Sequence, residues 1–450
     1  MHTADSPRPR ASTAQALGAR GVFAVVIGNA LEFYDFGVYA AFAVMIGHAF
    51  FPSADPFTSL LLSVATFGVG FVSRPLGGVL LGAYADRHGR KAAMTLTIAL
   101  MALGTAAIGL LPTYERIGIA APILLVLARL VQGFSAGGEL GASTVYLYEA
   151  APAGRKGLLG SWQLASQGAA GIAVGLLGFA LARVFSDAAL DGWAWRVPFL
   201  AGLVIIPVGI HIRRNLHETL DPQGAHTSTG GVAADLLRGH WPRLLLAVAS
   251  FSGVTVSQYF LGYLTTFAIN GLHMPASIAL FANFVVGAAT LVFALAGGWL
   301  GDRFGLRVVT IGPRLLLLLA GYPAMLFVVD ARTPAALLGA AAVLTAMQAM
   351  SGALLVLLIA RSFPRSIRTS GLATAFGIGA TLFGGTAQLV FTWLIKATDD
   401  LLSPIWYVSA MNVLSVIATL LISRRSRAGD ESMPAVVAAP LTASIARPLS

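Results

Sequence analysis

"GAYADRHGRK", at residues 82–91, returns later in the chain as "GWLGDRFGLR", at residues 298–307. Both copies read G-x-x-x-D-R-x-G, and their aspartates, Asp86 and Asp302, are 216 residues apart. The glycines allow a tight turn, and the aspartate can accept hydrogen bonds from the free N–H groups of a neighbouring helix N-terminus, where the helix dipole favours an anion. The repeat indicates two related halves, each carrying the same polar connection.

The sequence on either side of both motifs is strongly apolar. Of the 450 residues, 57% are hydrophobic and only 11% are charged, whereas soluble proteins carry about 25% charged residues. Runs long enough to cross a bilayer, about 20 residues each, can be placed twelve times. We predict an all-α integral membrane protein with 12 transmembrane helices in two six-helix halves, spanning residues 21–51, 57–83, 92–112, 118–148, 158–185, 194–213, 242–270, 276–299, 308–329, 334–361, 370–396 and 403–423.

The basic residues are unevenly distributed between the connections. An even number of spans puts both termini on one side, and 21 of the 29 Lys and Arg residues then lie on that side. This is the positive-inside pattern, so we predict that both termini are cytoplasmic. The net charge of +10 thus reports orientation in the bilayer and not a nucleic-acid partner. The polar N-terminus has no signal-peptide pattern and is predicted to be retained.

The predicted division of the chain follows from the repeat and the spans. We expect a cytoplasmic N-terminal tail at 1–20, six-helix halves at 21–215 and 241–424, a cytoplasmic linker at 216–240 and a cytoplasmic C-terminal tail at 425–450. Two parallel six-span halves are typical of transporters that rock around a site between the halves.

The first span carries acids in "GNALEFYDFGVY", at residues 28–39. At helical periodicity Glu32 and Asp35 share one face with Asn29 and Tyr39. Glu32 lies roughly 16 Å into the span, at 1.5 Å per residue. A charge at that depth costs about 2.5–3.5 kcal/mol, so these acids are expected to face the interior of the bundle.

Arginines interrupt other spans of the first half. Arg74 lies near mid-depth of the second span, and Arg129 opens a polar stripe on the fourth that includes Gln132, Ser135 and Glu139. An arginine holds a carboxylate with two parallel hydrogen bonds and keeps its charge, while a carboxyl in a partly dry cavity can take up a proton near neutral pH. Structural ion pairs, such as Arg74 with Asp35, are the open alternative. Arg314 lies close enough to the end of its span to snorkel to the cytoplasmic surface, and we leave it out of the site.

Several stretches together resemble one transporter family. The repeated loop motif is similar to that of the major facilitator superfamily. "SRPLGG" at 73–78 and "ARLVQGFSAGGELG" at 128–141, with the acidic stretch of the first span, resemble its metabolite:proton symporter family. "PTYERIGIAAP" at 112–122, "GSWQLASQ" at 160–167 and "WAWRVPF" at 193–199 are most similar to the citrate–proton symporters.

The residues and the resemblance together define the candidate site. Substrate binding is assigned to Arg129, Arg74, Gln132, Gln163, Gln167, Tyr34 and Tyr259, and proton coupling to Glu32, Asp35 and Glu139. Gating is assigned to Gly82, Asp86, Arg87, Gly89, Arg90, Asp302 and Arg303. The second motif has Leu306 and Arg307 where the first has Arg90 and Lys91, so we expect an asymmetric gate.

The predicted function is proton-coupled symport of an organic anion, best represented by citrate or a related tricarboxylate, by alternating access. We expect a monomer in a bacterial inner membrane that uses the proton gradient and no cofactor. Other family substrates stay open, among them 2-oxoglutarate, aromatic acids and proline or betaine, as does a non-transporting sensor. An enzyme is disfavoured because all eight histidines lie in tails, connections or span ends and show no metal-ligand spacing. The absence of a nucleotide-binding loop excludes an ATP-driven pump in a single chain, and the absence of cysteine excludes thiolate metal sites.

Overall fold

The computed structural model describes residues 19–88, 90–137, 151–152, 154–203, 239–364 and 367–431. The predicted linker, up to residue 238, and Gly89 and Glu139 lie outside this part of the chain. The predicted boundaries between halves, linker and tails therefore stay predictions.

In the described part of the chain the main helices, numbered here α1 to α12, run back and forth through the molecule. In the first half, α1 is Ala19–Ala41 continued by Ala43–Phe50, α2 is Pro56–Val72 continued by Arg74–His88, α3 is Arg90–Leu110, α4 is Ala120–Gly137, α5 is Lys156–Val184, and α6 is helical from 197 to 203, where the described part ends. In the second half, α7 is Trp241–Thr266, α8 is Ala276–Phe304, α9 is Leu306–Ala331, α10 is Pro334–Ser362, α11 is Arg368–Gly379 continued by Gly385–Thr398, and α12 is Ser403–Glu431.

The helices have the length and composition of membrane spans. Within the described ranges, nine are long and apolar enough to cross a bilayer, and the bent α1 makes ten. The apolar part of α3, Thr95–Leu110, is shorter, and α6 is only partly described. The helical architecture agrees with the predicted fold class. We call the face holding the start of α1 and the end of α12 the terminal face, and the other the opposite face.

The first predicted span is not one straight helix. α1 bends by 64° between Ala41 and Ala43. A straight helix over the 31 predicted residues, 21–51, would be roughly 46 Å long, well beyond the ~30 Å hydrocarbon core. The short segment after the bend instead packs against α2, where the Ser63 hydroxyl donates to the Ala43 carbonyl at 2.7 Å.

The two halves meet through close helix pairs without side chains between them. In the pair α5 and α8, a methyl group at Gly168 would lie 2.4 Å from the backbone nitrogen of Leu291. In the pair α2 and α11, a methyl group at Gly68 would lie 2.2 Å from the carbonyl oxygen of Gly385. Small residues permit such approach of membrane helices. The second pair places α2, which carries Arg74, at the boundary between the halves.

Candidate functional site

Two buried arginines lie against aromatic rings in the first half. The Arg129 guanidinium carbon lies 4.8 Å from the ring centre of Phe36 and 4.5 Å from that of Tyr39. The Arg74 guanidinium carbon lies 4.5 Å from the same Phe36 ring and 4.0 Å from the ring of Phe71. Arg129 is fully buried and Arg74 is only 5% exposed. Cation–π contacts offset part of the cost of holding both charges inside the bundle.

The structure does not pair these arginines with acids directly. Among the described residues, neither Arg74 nor Arg129 forms an ion pair with a carboxylate, and the Nε atom of each is buried without a hydrogen-bond partner. The alternative of a structural ion pair between Arg74 and Asp35 is therefore wrong for this structure. Two like charges share one aromatic ring, an arrangement that favours an anion between or beside them.

The second half covers the arginine cluster. The Tyr259 ring on α7 lies 5.9 Å from the ring of Phe67 and 5.6 Å from that of Phe71, both on α2. From α11, Thr381 donates a hydrogen bond to the Phe71 carbonyl at 3.1 Å. A π-helical turn at Ala380–Gly384 interrupts α11 at this level. The cluster thus lies at the boundary between the halves, where a rocking motion would expose it.

A chain of hydrogen bonds connects Arg129 to Asp35. Arg129 donates to Gln132 Oε1 at 2.8 Å, Gln132 donates to Thr105 Oγ1 at 3.0 Å, and Thr105 donates to Asp35 Oδ2 at 2.6 Å. All four side chains are at least 96% buried. Arg129 also donates to the Phe67 carbonyl at 3.2 Å. The predicted clamp and one predicted proton carrier are therefore linked through α3, a helix that the sequence did not implicate.

The two acids of α1 line a small internal cavity. It has a volume of about 40 Å³ and is bounded by α1, α3, α4 and α6 through Glu32, Asp35, Thr97, Ser135 and Gly202, among others. A polar cavity of this size has room for at least one water molecule. Glu32 and Asp35 are 5% and 4% exposed. The two predicted carriers therefore line one small cavity with room for water.

Three other predicted binding residues lie apart from the arginines. Tyr34 donates to the Pro198 carbonyl on α6 at 2.9 Å. Gln163 is buried on α5 and Gln167, one turn further, is half-buried. Neither amide forms a hydrogen bond with either arginine within the described residues. On α5 it is the Gln163 main-chain carbonyl that is engaged, accepting from Asn29 at 2.9 Å.

Arg314 does not reach the surface, although its place in the span would allow it to snorkel. It is 2% exposed, and its guanidinium donates to the Ser415 hydroxyl on α12 at 2.7 Å. Ser415 in turn donates to the Ser250 carbonyl on α7. Because these serines offer acceptors inside the second half, the side chain bonds to α12 rather than extending along its own helix.

The second copy of the loop motif joins the halves at the terminal face. Asp302, at the end of α8, accepts hydrogen bonds from the backbone N–H groups of Gly157 at 2.7 Å and Leu158 at 2.9 Å, in the first turn of α5. This is the contact expected of an anion at a helix N-terminus. Arg303 is exposed and lies near the rings of Trp299 and Phe304.

The first copy of the motif is described only in part. Gly82 lies within α2, and the side chains of Asp86, Arg87 and Arg90 fall outside what the structure describes. The gating role of both copies stays a prediction.

A second inter-half contact lies at the opposite face and was missed from the sequence. Lys396, near the end of α11, forms an ion pair with Asp55, which caps α2. The hydrogen bond from Lys396 lowers the pKa of Asp55 to about 2, so this acid stays charged at neutral pH. Asp55 and Lys396 lie 341 residues apart, and no sequence motif indicates that they pair.

The sequence also missed Thr105 and the rings of Phe36, Phe67 and Phe71. A single threonine in an apolar span is most often bonded to its own helix, and aromatic residues are expected in any core. The one available signal was spacing, since Phe67 and Phe71 are one helical turn apart on the helix that carries Arg74.

Comparisons with known proteins agree with this architecture. The sequence profile of the Major Facilitator Superfamily matches residues 25–385. A citrate–proton symporter of Klebsiella pneumoniae is 36% identical over 428 residues, covering 94% of this chain and 96% of that protein. The glycine betaine/proline/ectoine/pipecolic acid transporter OusA of Dickeya dadantii (strain 3937) is 33% identical over 416 residues, covering 89% and 82%.

A solved structure shows the same fold. The crystal structure of a D-xylose–proton symporter superposes with a TM-score of 0.73 at 19% identity, covering 90% of this chain and 96% of that one. The predicted fold class is confirmed, and the relatives are transporters rather than enzymes. The chain belongs to the Major Facilitator Superfamily and is a multi-pass membrane transporter.

Proposed function

We propose that this transporter carries an organic anion together with protons, with citrate or a related tricarboxylate as the substrate. The observation that carries the proposal is the pair of buried guanidinium groups of Arg74 and Arg129 beside one Phe36 ring. Neither arginine forms an ion pair with a carboxylate in the described part of the chain. Arginine binds carboxylates with two parallel hydrogen bonds, and a substrate with several carboxylates can engage both residues.

In this proposal the proton is carried by the acids of α1. Glu32 and Asp35 share the cavity of about 40 Å³ with Thr97 and Ser135. Protonation there offsets the negative charge of the substrate, which lowers the cost of carrying it through the closed bundle. The similarity to a citrate–proton symporter at 36% identity supports both the substrate and the coupling ion.

We also propose an orientation in the membrane. With the terminal face in the cytoplasm, 21 of 29 basic residues lie inside, as expected for a bacterial inner membrane. Asp302 and α5 then close the cytoplasmic side, and Asp55 with Lys396 closes the outer side. Alternating access requires that these two contacts break in turn.

A zwitterionic osmolyte such as proline or betaine is the second candidate. It is favoured by the 33% identity to a betaine and proline transporter and by the five rings around the site, because aromatic cages bind quaternary ammonium groups. In this structure, however, two arginines already occupy the faces of Phe36 and Phe71. The occupied rings favour an anion.

Uptake into proteoliposomes tests the proposal. Radiolabelled citrate should accumulate under an imposed inward proton gradient and stop accumulating when a protonophore is added. Tricarboxylates and 2-oxoglutarate should be tested as competitors in parallel with an aromatic acid, proline and glycine betaine. Competition by proline or betaine without competition by any carboxylate would overturn the anion proposal. Binding without counterflow would instead indicate a sensor.

A further inference from the structure

We propose that Thr105 is a positioning residue that transmits the protonation state of Asp35 to Arg129 through Gln132. This inference rests on the proposed function, since it explains how a proton site and an anion clamp on different helices act on each other. It concerns a residue that touches neither substrate nor solvent: Thr105 is fully buried on α3.

The donor and acceptor capacities of the four groups allow only one direction of donation along this hydrogen-bond chain. A guanidinium only donates, so Gln132 presents its oxygen to Arg129 and its NH₂ group to Thr105. The Thr105 oxygen therefore accepts from Gln132, and its hydrogen goes to Asp35 Oδ2. Every hydrogen bond points from the cation to the carboxylate, so the arrangement suits an ionised Asp35.

Protonation of Asp35 weakens the acceptor at the end of the chain. A hydrogen bond to a carboxylate is roughly twice as strong as one to a neutral carboxyl group. With Asp35 neutral, the hydrogen bond from Gln132 to Thr105 becomes weaker, and so does the hydrogen bond from Arg129 Nη1 to Gln132. The Arg129 guanidinium is then free to bind a substrate carboxylate. Proton binding at α1 thus favours anion binding at α4, the sign that symport requires.

The surroundings of Asp35 separate its two oxygens. Oδ2 accepts from Thr105, whereas a methyl group built at Gly202 on α6 would lie 3.2 Å from Oδ1, on the side of the cavity shared with Glu32. One oxygen can therefore exchange a proton through the cavity while the other is held by the chain.

Among the described residues, the charged or titratable groups that face Asp35 are Glu32 and Tyr34 on α1, which line the same cavity, and Arg129 on α4 at the other end of the hydrogen-bond chain. α3 faces it with Thr97, Met101 and Thr105, and the described part of α6 with Gly202. Of these described groups, Glu32 is the acid whose titration would overlap that of Asp35.

The packing holds the Gln132 side chain close against α3. A methyl group at Gly104, the neighbour of Thr105, would lie 2.5 Å from Cγ of Gln132. Glycine at this position lets the Gln132 side chain lie against α3, where Thr105 can reach it. The approach of α4 to α3 is therefore built around this amide.

The test compares the pH dependence of citrate counterflow in proteoliposomes for the wild type, Thr105→Val and Thr105→Ser. Valine keeps the shape and removes the hydroxyl, and serine restores it. In the wild type the KM should rise with pH, by up to about tenfold per pH unit where one proton must bind first. In Thr105→Val the rise of KM with pH should be clearly shallower while exchange continues, because only the contribution of Glu32 is left, and Thr105→Ser should recover the wild-type slope.

Thr66→Val is the matched control, because Thr66 is a buried threonine on α2 whose hydroxyl donates only to its own helix, to the Leu62 carbonyl at 2.8 Å. It should keep the wild-type pH profile. A pH-dependent KM in Thr105→Val equal to that of the wild type overturns the Thr105 inference and leaves the proposed function intact. A wild type without proton dependence overturns the proposed function itself. If Thr105→Val does not insert, Gln132→Leu interrupts the same chain and should show the same flattened profile.

Discussion

Both halves of the transporter bury arginines, and the two most completely buried ones in the described part of the chain, Arg129 and Arg314, are held in different ways. Arg129 in the first half is connected through Gln132 and Thr105 to a carboxylate and lies against aromatic rings. Arg314 in the second half is connected through Ser415 to the main-chain carbonyl of Ser250. Within the described residues, the second arginine forms no ion pair and no ring contact. Burial alone does not mark a coupled arginine; what matters is the group at the end of its hydrogen-bond chain.

This comparison assigns unequal tasks to the halves. In our proposal the first half supplies the charges that bind the substrate and the acids that exchange protons; the Tyr259 ring of the second half packs against Phe67 and Phe71 beside them. The contacts that close the two faces are likewise unequal, with a helix cap at the terminal face and an exposed ion pair at the opposite face. Four substitutions test this division.

The largest effect is expected from Glu32→Gln, which mimics the protonated acid. Because the variant cannot release its proton, we expect substrate exchange to continue while accumulation driven by a proton gradient is abolished. The measurement is counterflow and gradient-driven uptake in the same proteoliposome preparation. Glu115→Gln, at an exposed acid outside the spans, is the control and should accumulate substrate normally. Loss of exchange together with aggregation would assign Glu32 a structural role.

Arg129→Gln should be next in size. A charge-assisted contact is worth about 1.5–3 kcal/mol, so the KM for a tricarboxylate should rise roughly tenfold or more. The protein should still insert, since the substitution leaves no unpaired buried charge on α4. Arg116→Gln, at an exposed arginine, serves as the charge-matched control. An unchanged KM would show that Arg129 does not bind the substrate, and the proposed difference between Arg129 and Arg314 would be wrong.

Asp302→Asn should have a moderate effect on the terminal face. Removing the charge at the α5 N-terminus costs about 1 kcal/mol, roughly a fivefold shift towards opening of that face. Because the chain contains no cysteine, a single Ser161→Cys reporter, buried between α5 and α8, measures the opening by its rate of maleimide labelling. Asp330→Asn, at an exposed position, should leave the rate unchanged. A labelling rate equal to that of the reporter alone would show that Asp302 does not hold this face closed.

Arg314→Met should have the smallest effect. Replacing a buried charge by an apolar side chain of similar length is often neutral for stability, and no acid in the described ranges is paired with this residue. We expect a KM within about twofold of the wild type and an unchanged pH profile, with thermal unfolding in detergent as the check on folding. If Arg314→Met raises the KM as strongly as Arg129→Gln does, or changes its pH dependence, the two halves are not divided as proposed.

Much of the fold follows from the sequence because a bilayer imposes simple rules. Apolar runs must be helices since their backbone groups have no other partners in lipid, and the repeated loop motif reveals two halves. The bend after Ala41 was not predictable from the apolar run. The residues around this bend are apolar, and they contain no sequence signal for the position at which the helix changes direction.

The site divides in the same way. Glu32, Asp35 and Arg129 stand out in the sequence because a charge deep in a span is costly and must face the interior. The sequence by itself determined which residues carry charge and on which helix faces they lie. Only the tertiary structure decided which side chains are in contact. Thr105 on α3 links Asp35 to Arg129 through Gln132, and the Phe36 ring contacts two arginines. Arg314 donates its hydrogen bond to a serine of another helix. These partners come from different helices, and their contacts depend on how the helices pack, which local periodicity does not contain.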